Sequence, residues 1–135
     1  MKLIFQYNDL VTRQKTELLN EEGVLLYYGI YDFSYKYRTR IFDQEGIEVS
    51  YVEKQITAER DTVCFYAADG TKNGALIRKE GKLVSEDGDL VYEGDLRKGK
   101  IEGLMEVSDG CLKIEKEEEV LKCLQILFSL VEIDR

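Results

Sequence analysis

The last stretch of the chain, Glu117 to Asp134 (EEEVLKCLQILFSLVEID), restricts the possible folds more than any other. Ten of its residues are apolar: Val120, Leu121, Cys123, Leu124, Ile126, Leu127, Phe128, Leu130, Val131 and Ile133. At about 100° per residue, the polar positions Glu118, Lys122, Gln125, Ser129 and Glu132 fall in one stripe roughly 80° wide. A surface helix has the reverse proportion, so this helix must be surrounded by protein on nearly all sides. Its apolar run of about 14 residues is too short for a bilayer, which needs roughly 20. No transmembrane segment is therefore expected.

Everything before that helix reads as short strands broken by acidic-Gly turns. Strands are expected over 2–7, 12–19, 24–30, 36–42, 47–54, 61–67, 74–79, 82–85, 89–96, 100–107 and 111–115. Glu21-Glu22-Gly23, Asp43-Gln44-Glu45-Gly46, Asp69-Gly70, Asp87-Gly88 and Asp109-Gly110 punctuate them, glycine supplying the positive φ of a tight turn. Gly23, Gly46 and Gly70 are spaced by 23 and 24 residues, Gly88 and Gly110 by 22, the interval of a repeated hairpin. No connection is long enough to hide a crossover helix, so the sheet should be antiparallel.

A mainly β fold follows: a closed antiparallel β-barrel of about 11–12 short strands around a central hydrophobic C-terminal helix. Closure removes the sheet edges and buries the helix in one step. The lengths match, a helix of about 16 residues being near 24 Å and a seven-residue strand near 23 Å. A two-sheet sandwich with the helix across one end is the alternative. At 135 residues, with no linker or composition shift, the chain is expected to be one domain over 1–135.

Charge and composition narrow the chemistry. The net charge of −8 argues against nucleic acid as a partner, and against bulk anionic membrane unless a local basic patch overrides it. The chain has no histidine, which removes the commonest general base and metal ligand. No enzyme motif, cofactor or metal site is expected. Cys64, Cys111 and Cys123 are odd in number and lack a CxxC, reading as buried reduced thiols. With no signal-peptide core in MKLIFQYND, the expected location is cytoplasmic.

Two resemblances add to this. Glu17–Ser34 (ELLNEEGVLLYYGIYDFS) and Arg40–Ile56 (RIFDQEGIEVSYVEKQI) are similar to the opening of the LURP-one-related family, in the tubby C-terminal-like superfamily. The ending Leu127–Asp134 (LFSLVEID) resembles that family's terminal apolar helix. The resemblance covers nearly the whole chain and implies a twelve-stranded tubby C-terminal-like barrel around a central helix. It also implies a possible partner class, phosphoinositide-like phospholipid headgroups. The basic headgroup positions of tubby proteins find no matching motif here, so no site residue follows from it. Separately, Tyr92–Gly103 (YEGDLRKGKIEG) resembles one MORN repeat, although such arrays need several stacked copies.

The sharpest local candidate is Tyr35-Lys36-Tyr37-Arg38-Thr39-Arg40-Ile41. On a strand Lys36, Arg38 and Arg40 share one face, where arginine forks can grip a phosphate or carboxylate. The plainer reading is the outer face of a barrel strand, balanced by acids such as Glu48 or Glu53. Glu86-Asp87-Gly88-Asp89 lacks the ligand spacing of a calcium loop and reads as a hairpin turn. Arg78-Lys79-Glu80 and Arg97-Lys98-Gly99-Lys100 read as solvated tips, and Ser129 has no base near it in sequence. The functional expectation is a non-enzymatic cytoplasmic binding or scaffold domain, its partner an unknown protein or a small anionic ligand. The alternatives are a peripheral phospholipid-headgroup module using Lys36, Arg38 and Arg40, or a MORN-repeat-like interaction protein.

Overall fold

The computed structural model describes residues 1–32, 37–55 and 61–130. Twelve antiparallel strands close into a barrel in the order β1-β12-β11-β10-β9-β8-β7-β6-β5-β4-β3-β2. They are β1 (Lys2–Ile4), β2 (Thr16–Leu19), β3 (Leu25–Asp32), β4 (Arg38–Asp43), β5 (Glu48–Gln55) and β6 (Thr62–Ala67), then β7 (Lys72–Ile77), β8 (Lys82–Val84), β9 (Leu90–Asp95), β10 (Lys100–Ile101), β11 (Met105–Ser108) and β12 (Cys111–Ile114). Every neighbour is adjacent in sequence except β1 and β12, whose pairing Lys2↔Lys113 and Leu3↔Leu112 seals the meander.

Helix α2 (Val120–Leu130) follows a single 3-10 turn at Glu117–Glu119. Seven successive residues, Cys123 to Ser129, are buried. Seven residues make roughly two turns, so no face of this segment meets water. Its contacts point in several directions. Phe128 lies against Gly29 of β3, Gln125 Nε2 donates to the Tyr66 carbonyl of β6 at 3.3 Å, and Cys123 Sγ sits 4.0 Å from the Leu104 carbonyl between β10 and β11. The barrel therefore surrounds the helix. Two members of the polar stripe are inside as well, Gln125 being 2% and Ser129 0% exposed, while Glu118 is exposed and Lys122 half-buried. Ser129 Oγ donates back to the Gln125 carbonyl at 2.6 Å, so its hydroxyl is satisfied within the helix. Val131 to Asp134, which the expected helix included, lie outside the described residues.

Four hairpin tips share one barrel end and one construction. Asn20 Oδ1 accepts from the backbone N–H groups of Glu22 and Val24, both at 2.9 Å. Asp43 Oδ1 does the same for Glu45 and Ile47, at 2.9 and 3.0 Å. Gly23 and Gly46 take the positive φ that the turn needs, 84° and 82°. Ser85 and Gly88 close the β8–β9 tip, where Glu86-Asp87-Gly88-Asp89 forms the expected hairpin turn.

Three expected boundaries are corrected. The first strand stops at Ile4, and Tyr7–Val11 is a short helix, α1, whose Leu10 is 4% exposed. One buried leucine on a five-residue turn closes this side of the barrel, where a continued strand would have no partner. The strand expected over 12–19 starts at Thr16, because Arg13 turns the chain at φ 58°. The strand expected over 100–107 is two strands: Leu104 N–H bonds to the Ile101 carbonyl at 3.1 Å and Gly103 has φ 75°. That tight turn brings the count to twelve.

Candidate functional site

Arg38 and Arg40 project outward from β4, two residues apart, between β3 and β5. Cross-strand register places Arg38 opposite Glu53. Their side chains form an ion pair, with Arg38 Nε 2.8 Å from Glu53 Oε1. The Arg38 guanidinium also lies 4.3 Å from the Tyr51 ring centroid, and Tyr51 in turn stacks on Tyr66 with centroids 4.8 Å apart. Desolvation acts to lower the Arg38 pKa, but the hydrogen bond and charge of Glu53 outweigh it, so the pKa is raised. Arg40 Nη1 reaches Glu48 Oε1 and Oε2 at 3.1 and 3.0 Å, and Arg40 Nε lies 3.8 Å from Asp32 Oδ2. Both arginines are thus in contact with carboxylates, the balance that Glu48 and Glu53 were expected to supply. Lys36, the third residue of the candidate anion site, lies outside the described residues.

A second site emerges at the barrel end where α2 finishes. Register puts the start of β6, the β7–β8 turn and the end of β9 side by side. They line a cavity of about 640 Å³ that is half open to solvent, its walls being Asp61, Arg78, Lys79, Glu80, Gly81, Gly94, Asp95, Leu96 and Arg97. That volume suits a small molecule. Its floor depends on two glycines. Gly81 (φ 64°) packs so close to β9 that a Cβ would lie 2.0 Å from the Gly94 carbonyl oxygen. Gly94 N–H donates to the Gly81 carbonyl at 2.9 Å.

The charges in this cavity have different duties. Arg78 has a side chain only 1% exposed. Its guanidinium bonds Asp61 through Nε at 2.9 Å and the Ser129 carbonyl of α2 through Nη1 at 3.0 Å. It therefore ties cavity wall to helix terminus, where a cation suits the negative end of the helix dipole. Glu80 faces Lys82 at 3.7 Å. Asp95 Oδ1 accepts the Arg97 backbone N–H at 3.0 Å, capping the 3-10 turn Leu96–Lys98. Lys79, Arg97 and Asp95 form no ion pair among the described residues. The runs Arg78–Glu80 and Arg97–Lys100 are hairpin tips as expected, but one tip residue is buried and the two tips face a common cavity.

Two titratable groups elsewhere are made less reactive by burial. Burial pushes the Cys123 thiol up to about 12. Desolvation, with smaller contributions from Cys64 and Glu53, pushes the Tyr66 phenol up to about 12. Groups activated for nucleophilic attack shift the other way. Among the described residues, no group of three or more His, Cys, Asp or Glu side chains is placed to hold a metal. Nor is any described helix long and apolar enough to cross a membrane. Comparison with protein-family models, characterised proteins and solved structures finds no match to this chain.

Proposed function

We propose that this chain is a non-enzymatic binding domain of the LURP-one-related, tubby-like type, taking its ligand in the barrel-end cavity. One observation carries the reading: the helix occupies the barrel interior, while the cleft of about 640 Å³ at its end presents Lys79, Asp95 and Arg97, which have no ion-pair partner among the described residues. The family membership is supported by the order of elements, twelve strands and then an apolar helix that the strands surround. A cytoplasmic setting belongs to the same reading and is supported by the free thiols of Cys64, Cys111 and Cys123. The non-enzymatic reading is supported by the cavity's acids: Asp61 is bonded to Arg78, Glu80 faces Lys82, and Asp95 caps a turn.

The test is a fragment screen read by backbone amide shifts on the whole chain. Hits should cluster at Gly81, Gly94 and Arg97. A screen of a few hundred polar fragments with no hit there would count against the cavity as the site.

The second reading is a phospholipid-headgroup module using Lys36, Arg38 and Arg40. It is favoured by two neighbouring arginines on the outer surface, although a phosphate would have to compete there with Glu53 and Glu48. Co-sedimentation with anionic vesicles at low and high salt decides it: salt-sensitive binding lost in Arg38→Ala/Arg40→Ala supports it, and no binding removes it. In the third reading, a MORN-like interaction protein, Tyr92–Gly103 would be the repeat; that run is β9, a 3-10 turn and β10 of the barrel.

A further inference from the structure

The charges around the end cavity also indicate what kind of ligand would satisfy them, an inference that rests on the cavity being the binding site. Arg78 and Asp61 neutralise each other, and Glu80 is met by Lys82 just outside the lining. Among the described residues, the lining charges without an ion pair are two exposed cations, Lys79 and Arg97, and one exposed anion, Asp95. Asp95 commits one oxygen to the Arg97 backbone N–H, leaving its other oxygen able to accept. The two cations come from different elements, the β7–β8 turn and the turn after β9, so a ligand group between them would be held from two sides.

A simple anion would satisfy Lys79 and Arg97 but would also meet Asp95, a like charge. A simple cation would meet the reverse problem twice. Leu96 is the one large apolar side chain in the lining, the other long side chains there each ending in a charge, so a purely hydrophobic ligand would have to displace water from those charges. We propose that the cavity binds a compact zwitterion, its phosphate or carboxylate held by Lys79 and Arg97 and its ammonium by Asp95. Arginine supplies a forked contact to the anionic group, lysine a point charge, and the carboxylate a charge-assisted acceptor for the ammonium.

The experiment titrates the whole chain with O-phosphoethanolamine and with glycylglycine, following the Gly81 and Gly94 amide resonances. Inorganic phosphate and ethanolamine serve as the separate halves. The expected result is that at least one zwitterion binds tenfold or more tighter than either half. Lys79→Gln/Arg97→Gln should weaken that binding roughly tenfold or more. Asp95→Asn, which keeps the acceptor that caps the turn, should abolish the preference for the zwitterion over phosphate. Vesicles of phosphatidylcholine with and without phosphatidylethanolamine separate the sources: binding to free phosphoethanolamine alone assigns a soluble ligand, and binding to the doped vesicles as well assigns a headgroup.

Phosphate binding as tightly as phosphoethanolamine would overturn the zwitterion while leaving the cavity as a site. So would a neutral fragment that shifts Gly81 and Gly94 when neither zwitterion does. Failure of every probe, fragments included, would instead take down the cavity itself.

Discussion

Gly29 and Phe128 show how far a single atom decides this packing. A Cβ on Gly29 would fall 2.3 Å from Phe128 Cζ, with two more ring atoms within 3 Å. Phe128 is 4% exposed on a helix enclosed by strands, and the void it borders with Gly29, Tyr31 and Thr39 is about 10 Å³, so its ring has little room to move. Gly29→Ala should therefore destabilise by about 1–3 kcal/mol, the usual cost of overpacking a core. Urea unfolding checks it, and Phe128→Leu in the same chain should recover part of the loss. Cysteines differ at the same scale. Cys64 and Cys123 are buried and Cys111 is half-buried. At pH 8 a disulfide reagent should modify Cys111 quickly, and the other two only when the protein is unfolded. Burial raises the folded Cys123 pKa from 9 to about 12, so the folded state resists ionisation that the unfolded chain accepts. Its stabilising contribution is complete below pH 9 and falls as pH rises toward 12. Urea stability that did not fall as pH rose from 9 toward 12 would contradict this.

Among the elements, helix α2 was the most legible in sequence, because an apolar surface covering most of the circumference leaves few ways to bury it. The four acidic-Gly tips were legible because each places a glycine at the position whose N–H closes the turn, at Gly23, Gly46, Gly70 and Gly88, and in two of them Asn20 or Asp43 also accepts from the turn backbone. Helix α1 was not, since five residues with one buried leucine carry no periodicity. The β10–β11 turn was missed although Glu102-Gly103 is an acidic-Gly pair, because the turn opens at Ile101, which has no acceptor side chain, and β10 before it is only two residues long. Arg78 was also missed, being read with Lys79 and Glu80 as a solvated tip. Nothing local distinguishes the cation that turns inward to meet Asp61 and the Ser129 carbonyl. Because its side chain is buried, Arg78→Ala should cost about 3 kcal/mol or more in urea unfolding, leaving both a carboxylate and a helix-terminal carbonyl short of a donor. Asp61→Asn keeps an acceptor and should cost less. The reverse order would mean that the link to α2 matters little. The helix itself has a blunter test: a chain ending at Glu119 should be insoluble, and a soluble, folded fragment would show that the barrel stands without its core.

Over the whole molecule, strand direction sorts the charges, which no local reading of the chain could reveal. The tips 20–24, 43–47, 67–71 and 85–89 all lie at one barrel end and contain no lysine or arginine, yet they carry Glu21, Glu22, Glu45, Asp69, Glu86 and Asp87 among their acids. The opposite end mixes signs, setting Arg78, Lys79, Arg97 and Lys98 beside Asp61, Glu80, Asp95 and Asp109. The net charge of −8 is thus concentrated rather than spread. Solvent-exposed like charges on neighbouring tips repel over about a Debye length, roughly 30 Å at 0.01 M salt and under 10 Å above 0.15 M. The unfolded chain separates them, so the repulsion works against folding and salt should relieve it. Raising sodium chloride from about 10 mM to about 300 mM is expected to raise Tm by about 3 °C or more. The location of the effect is the sharper point. Glu21→Lys/Glu86→Lys, which changes exposed side chains on two of these tips, should raise Tm at low salt and flatten its salt dependence. The same charge reversal at the far end, Lys79→Glu/Lys98→Glu, should lower Tm and steepen it. If both double variants moved Tm alike, charge would act through its total alone, and the polarity of the barrel would have no energetic consequence.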